Sequence, residues 1–201
     1  ILALSKIIKQ RSKKPLNIME SCGGHTHSIM KFGLPQLVGD NINFIHGPGC
    51  PVCIMPRSRI DEAIAIAGIE GVIFCTLADM MRVPGSKGSL AQLRAGGADI
   101  RALYSPLDVI SIAQENPDKK VVFFAIGFET TTPMSAVVVE QAINLGLKNL
   151  FVHINHVTVP APVRAIMSDK DVKIDAFLGP SHVSVITGSA IYEELANEFK
   201  T

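Results

Sequence analysis

Cys50 and Cys53 stand three residues apart in the segment His46-Gly47-Pro48-Gly49-Cys50-Pro51-Val52-Cys53. Thiols at that spacing close a small disulfide ring or ligate one soft metal together. A proline between them is common in redox dithiols, and Arg57 and Arg59 add positive charge just beyond. The plain alternative is a tight turn with two small residues, but Gly47-Pro48-Gly49 makes that turn without cysteine. Cys22 opens a second segment, Cys22-Gly23-Gly24-His25-Thr26-His27. Gly23 and Gly24 remove side chains beside the sulfur and leave backbone N–H groups free to approach a thiolate or an anion. His25 and His27 can serve as base, ligand or hydrogen-bond donor, or simply as loop residues bonded to a carbonyl. Cys75 lies in the aliphatic run Val72–Leu77, where a cysteine is a small core hydrophobe. The four cysteines therefore do not read as a complete iron–sulfur ligand set.

Two further loops carry reactive groups. Glu129 is followed by Thr130, Thr131, Thr132 and Pro133. Thr132 reads as a helix N-cap and Pro133 as the first helical residue. Thr130 and Thr131 offer hydroxyls at a helix start, where orphan N–H groups favour an anion or a carbonyl. Glu129 is a candidate acid–base group. His182 sits in Gly179-Pro180-Ser181-His182, a third Gly/Pro turn after a strand. His153 and His156 flank a strand end, and their roles stay open.

Elements able to position these groups alternate along the chain. Short, largely apolar segments at 16–19, 42–45, 72–77, 100–104, 121–126, 150–154 and 174–178 read as strands. Helices are expected over 2–10, 28–32, 59–67, 90–95, 106–114, 134–145, 161–167 and 189–200. Ser58 and Asp61 are spaced as a capping box for the third of them. This βα alternation predicts an α/β protein of two small parallel-sheet, Rossmann-like domains with a cleft between them. The boundary is placed near 116–119, giving a first domain over 1–117 with the cysteine loops and a second over 118–201. In such sheets, loops at the carboxyl ends of strands form the ligand crevice, and Cys22, Cys50, Glu129 and His182 all fall in loops of that kind.

Composition narrows the class. The 201 residues are 47% hydrophobic, carry a net charge of +1 and include no tryptophan. Without a basic block, nucleic acid is not expected as a partner. No apolar run reaches the length of a membrane span, and the first dozen residues lack a leader's apolar stretch. A cytoplasmic location is expected, where thiols serve metal or redox chemistry rather than disulfide scaffolds.

Four segments, Cys22–Ser28, Gly47–Cys53, Gly127–Pro133 and Gly179–Ser184, resemble in order the signature segments of the HypD family of [NiFe]-hydrogenase maturation factors. The resemblance runs from about Pro15 to the end of the chain. It implies a scaffold on which iron receives two cyanides and one carbon monoxide, as an Fe(CN)2CO intermediate. It implies the small chaperone HypC as partner and the HypE–HypF pair as cyanide donor. Carried over, Cys22 matches the iron-ligating cysteine and Cys50 with Cys53 the redox dithiol; His25, Glu129 and His182 match cleft positions. The family also holds a [4Fe–4S] cluster, whose cysteines the resemblance places beyond Thr201, in a fragment or in a shortened relative. Two other readings of the same residues are a thiol–disulfide oxidoreductase and a zinc-stabilised binding module.

Overall fold

The computed structural model describes residues 1–200. In chain order the elements are α1 (Leu2–Arg11), β1 (Leu16–Glu20), α2 (Gly23–Lys31), α3 (Leu34–Val38), β2 (Ile42–His46), α4 (Arg57–Ala67), β3 (Val72–Leu77), α5 (Leu90–Ala95), β4 (Ile100–Leu103), α6 (Asp108–Glu115), β5 (Lys120–Gly127), α7 (Thr132–Asn144), β6 (Leu150–His156), α8 (Pro160–Met167), β7 (Ala176–Leu178), α9 (Ser181–Thr187) and α10 (Ala190–Phe199). A 3-10 turn over Ala78–Arg82 follows β3. The strands form two sheets, ordered β2-β1-β7 and β4-β3-β5-β6, and every named pairing is parallel. The protein is therefore α/β with two parallel sheets, as its aliphatic runs predict.

The chain divides into two compact units. The second, Met55–Val157, is contiguous and holds the four-stranded sheet. Its central strands β3 and β5 are buried nearly end to end. One face carries Ile73, Cys75, Val121, Phe123 and Ala125 against Val109, Ile110 and Ala113 of α6 and Val138 and Ala142 of α7. The other face carries Phe74 and Phe124, whose ring centroids lie 5.7 Å apart. Burying one such aromatic contributes about 1.5–3 kcal/mol, which explains why these strands are solid apolar runs rather than alternating ones.

The first unit joins Ile1–Ile54 to the segment from Thr158 onward. Its central strand β1 pairs with β2 on one side and with β7 on the other. Closure across the long gap is reinforced where Asn17 N–H donates to Asp175 Oδ2 at 2.7 Å and Asp175 N–H returns to the Asn17 carbonyl at 2.9 Å.

Several details differ from the sequence-based expectations. The boundary expected between 117 and 118 falls inside the second unit, because β5 pairs directly with β3 across it. α2 starts at Gly23, not at Ser28, so His25 and His27 are helical. α3 and α9 are additional short helices, and α9 takes Ser181 and His182 out of the expected loop. The expected capping box at Ser58 is absent. α4 starts at Arg57 behind Pro56, and Asp61 instead accepts the Ser86 N–H and hydroxyl, both at 2.7 Å. α7 starts at Thr132 with Thr131 as its N-cap, one residue earlier than expected.

Candidate functional site

Three of the four candidate loops belong to the first unit, at the carboxyl ends of its strands. Cys22 follows β1, Cys50 and Cys53 follow β2, and His182 follows β7. β1 sends the chain on to β2 at one side and receives β7 at the other, so the strand order reverses between β1 and β7. A reversal of that kind opens a crevice at the strand ends. Cys22 and His182 stand on its two sides, and the structure brings them together: Cys22 Sγ lies 3.4 Å from His182 Nδ1. Nearby, His25 Nε2 lies 2.7 Å from Ser181 Oγ. The two pairs tie the first turn of α2 to the first turn of α9.

Cys22 is the extended N-cap residue of α2, and its carbonyl accepts the N–H groups of His25 and Thr26 at 2.8 and 3.1 Å. The thiol is buried, at 6% relative exposure. Gly23 and Gly24 form the exposed start of the helix. A Cβ on Gly24 would come within 3.6 Å of Cys22 Sγ, whereas one on Gly23 would meet open space. Gly24 is thus the glycine that keeps the sulfur uncrowded.

The dithiol loop lies directly on this turn. A Cβ built on Gly49 would fall 2.7 Å from both Cys22 Cα and Cys22 N, and 2.8 Å from Gly23 N. Only hydrogen fits there, so the Gly-Pro-Gly run allows the backbone just before Cys50 to rest against the backbone of Cys22. Cys50 and Cys53 close a turn in which Cys53 N–H donates to the Cys50 carbonyl at 3.1 Å. Both thiols are free, Cys53 the more exposed. A hydrogen bond with the Cys50 side chain, then burial and the Cys50 charge, raise the Cys53 thiol above its ordinary range. Labelling by iodoacetamide, mapped by mass spectrometry, should therefore show Cys53 reacting sluggishly at pH 8 despite its exposure and gaining speed as the pH rises further. Cys50→Ala removes the leading cause and should bring Cys53 back towards an ordinary thiol profile. A Cys53 that labels in the parent as fast as in Cys50→Ala would contradict the assignment.

One group at this site is not apparent from motif reading. Glu20, the last residue of β1, is 1% exposed. Its Oε2 accepts the Cys22 N–H at 2.9 Å, and its Oε1 accepts the Thr26 hydroxyl and lies 2.8 Å from His46 Nδ1. Burial pushes this carboxyl up, but hydrogen bonds from Thr26, Cys22 N–H and His46 outweigh it and hold the carboxyl below its usual range. The signal in the sequence is a carboxylate ending a strand directly after the apolar pair Ile18-Met19, two residues before Cys22.

The other candidates lie in the second unit. Glu129 and Thr130 are half-buried in the turn after β5. Thr131 and Thr132 donate their hydroxyls to the Phe128 carbonyl at 3.2 and 2.9 Å. A Cβ on Gly127 would collide with the Thr131 side chain that caps this turn. His153 and His156 both lie on β6. His153 stacks on Phe124 with ring centroids 5.1 Å apart, and Glu62 Oε2 lies 3.3 Å from its Nε2. Burial and then the Arg59 charge lower its pKa against the opposing pull of Glu62. His156 Nε2 meets Ser135 Oγ at 3.2 Å, and burial lowers its pKa. Arg59 braces this strand by donating to Asn155 Oδ1 at 2.7 Å and to the Ile154 carbonyl at 2.9 Å.

The cysteines present do not fit a [4Fe–4S] cluster. Cys75 is fully buried within β3, and burial pushes its thiol up to about 12. Among the described residues, no three His, Cys, Asp or Glu side chains are gathered as a metal cage would need. Also among these residues, no helix is long and apolar enough to cross a membrane.

Comparison with known proteins adds to this geometry. A family model described as "HypD: Hydrogenase formation hypA family" matches residues 1–201. The hydrogenase maturation factor HypD of Rhodobacter capsulatus is 53% identical over 199 residues, covering 99% of this chain and 53% of that protein. The factor of the same name from Escherichia coli K12 is 51% identical over 188 residues, covering 94% of this chain and 50% of its own length. That from Azotobacter vinelandii is 51% identical over 195 residues, covering 94% and 52%. The chain spans about half the length of the curated relatives it matches.

Proposed function

Since the chain belongs to the HypD family of hydrogenase-formation proteins, we propose that it takes part in building the iron site of a [NiFe] hydrogenase. Cys22 is the ligand to the cargo iron, and Cys50 with Cys53 is the electron source. The observation that carries this reading is the meeting of Cys22 Sγ and His182 Nδ1 at 3.4 Å, beside the backbone contact at Gly49. As iron binds, the Cys22 S–H proton passes to the imidazole of His182, and the freed thiolate becomes the ligand. Low-spin iron(II) carrying cyanide and carbonyl favours such soft sulfur donors. One cysteine leaves coordination positions open for those diatomic ligands and for a thiolate of the HypC-type chaperone. Oxidation of Cys50 and Cys53 to a disulfide releases two electrons and two protons to the assembly step, and a reductant from outside then resets the pair. The buried setting of Cys22 keeps water away from the iron. Cyanide arrives from a HypE–HypF donor, and a cytoplasmic setting keeps the thiols reduced.

Activity of mature hydrogenase, measured in cells whose only copy of this protein carries a substitution, tests the reading. Cys22→Ala should leave none. His182→Ala should lower the maturation rate about a hundredfold, the ordinary contribution of a positioned proton acceptor. Full maturation with Cys22→Ala would reject the ligand assignment. A thiol–disulfide oxidoreductase is the second reading, favoured by the hydrogen bond between the Cys50 and Cys53 side chains. It predicts turnover of a generic disulfide substrate by the iron-free protein.

A further inference from the structure

We infer that Glu20 is a positioning residue that clamps the Cys22 turn and the dithiol loop to each other. This rests on the reading of those thiols as the working groups. Glu20 ends the central strand of the first unit, and in the sheet register it stands directly opposite His46, the residue that begins the dithiol loop. Its side chain reaches three donors on two segments: the N–H of Cys22 and the hydroxyl of Thr26 at the start of α2, and Nδ1 of His46 at the end of β2. Its main-chain carbonyl takes a fourth, the Gly47 N–H at 2.7 Å. Every one of these bonds goes to the Cys22 segment or to the dithiol segment. A carboxylate at 1% exposure is costly to bury unless it is fully bonded. Packing alone would be met by an apolar residue, as at the preceding Ile18 and Met19. The carboxylate supplies what an apolar residue lacks: several acceptor positions on one rigid group, holding two loops whose backbones also touch at Gly49.

The role is separable from simple stability, because a buried charge replaced by an apolar residue of similar size often leaves folding stability intact. The test uses the whole protein without iron and follows iodoacetamide labelling of each cysteine by mass spectrometry. In Glu20→Met, Cys22 should label at least about fivefold faster, as expected when a turn loses hydrogen bonds that hold it closed. His46→Ala and Thr26→Val should move Cys22 in the same direction, and Cys75 should stay protected in all of them. Glu20→Gln, which keeps an acceptor for the Cys22 N–H, should restore most of the protection. Glu20→Met combined with His46→Ala should label no faster than Glu20→Met alone, since both remove the same contact. If Glu20→Met unfolds the first unit, seen as lost amide protection on β1 and β2, His46→Ala and Thr26→Val decide the question. Cys22 rates within about twofold of the parent in folded Glu20→Met and His46→Ala would overturn the inference. So would effects that multiply in the double variant. No iron enters this experiment, so its failure is distinct from failure of the iron-ligand reading.

Discussion

Gly49→Val should lower hydrogenase maturation about a hundredfold while leaving the second unit folded. The added Cβ would lie 2.7 Å from Cys22 Cα and N and 2.8 Å from Gly23 N, closer than side-chain carbons come to any neighbour. All three atoms are backbone, so no side chain can swing aside to make room. The Cys22 turn is itself pinned by Glu20 and by the first turn of α2. The dithiol loop must therefore lift away by an ångström or more, and misplacement on that scale costs about a hundredfold in rate. Hydrogenase activity in cells carrying the variant is the readout. Amide exchange on β3 and β5, which share no residue with the disturbed loop, should match the parent. Full maturation with Gly49→Val would mean that the two loops need not touch.

Cys50→Ser and Cys53→Ser should each reduce maturation to background, and the double substitution should cost no more than either alone. In the proposed electron-pair role the two sulfurs act as one group, because a single thiol cannot form the disulfide that releases an electron pair. Intact-mass measurement gives an independent check. Mild oxidation should remove about 2 Da from the parent through disulfide formation and leave both single variants unchanged. One single variant retaining substantial activity would reject the electron-pair role and leave a ligand role for the surviving thiol.

Much of this fold is legible in the sequence, for local reasons. β3 matches the aliphatic run 72–77, and α5 matches 90–95, because burial on both faces and flanking glycines leave plain marks. Strand partnership is less legible. β7 is only three residues long and pairs with β1 across most of the chain, a non-local choice that periodicity does not record. That pairing makes the first unit from both ends of the described chain and brings His182 to Cys22. The first turn of α2 was hidden for a different reason. Gly23 and Gly24 have poor helix propensity, and tertiary contacts at Cys22 and Thr26 hold them helical. Within the site, the cysteines and His182 stand out as residue types in Gly/Pro turns. Glu20 does not, since only the structure shows that its neighbours are all donors. Glu129 and His182 look equivalent as loop residues after strands. The fold separates them, giving His182 to the unit that holds Cys22 and Glu129 to the other.

In the proposed function Cys22 binds the iron on which cyanide and carbonyl ligands are assembled. Infrared spectroscopy of the protein purified together with its chaperone partner reads out that role. The parent should show cyanide and carbonyl stretching bands, and Cys22→Ala should show neither while still labelling at Cys50 as the parent does. Bands that persist in Cys22→Ala at parental intensity would contradict the account.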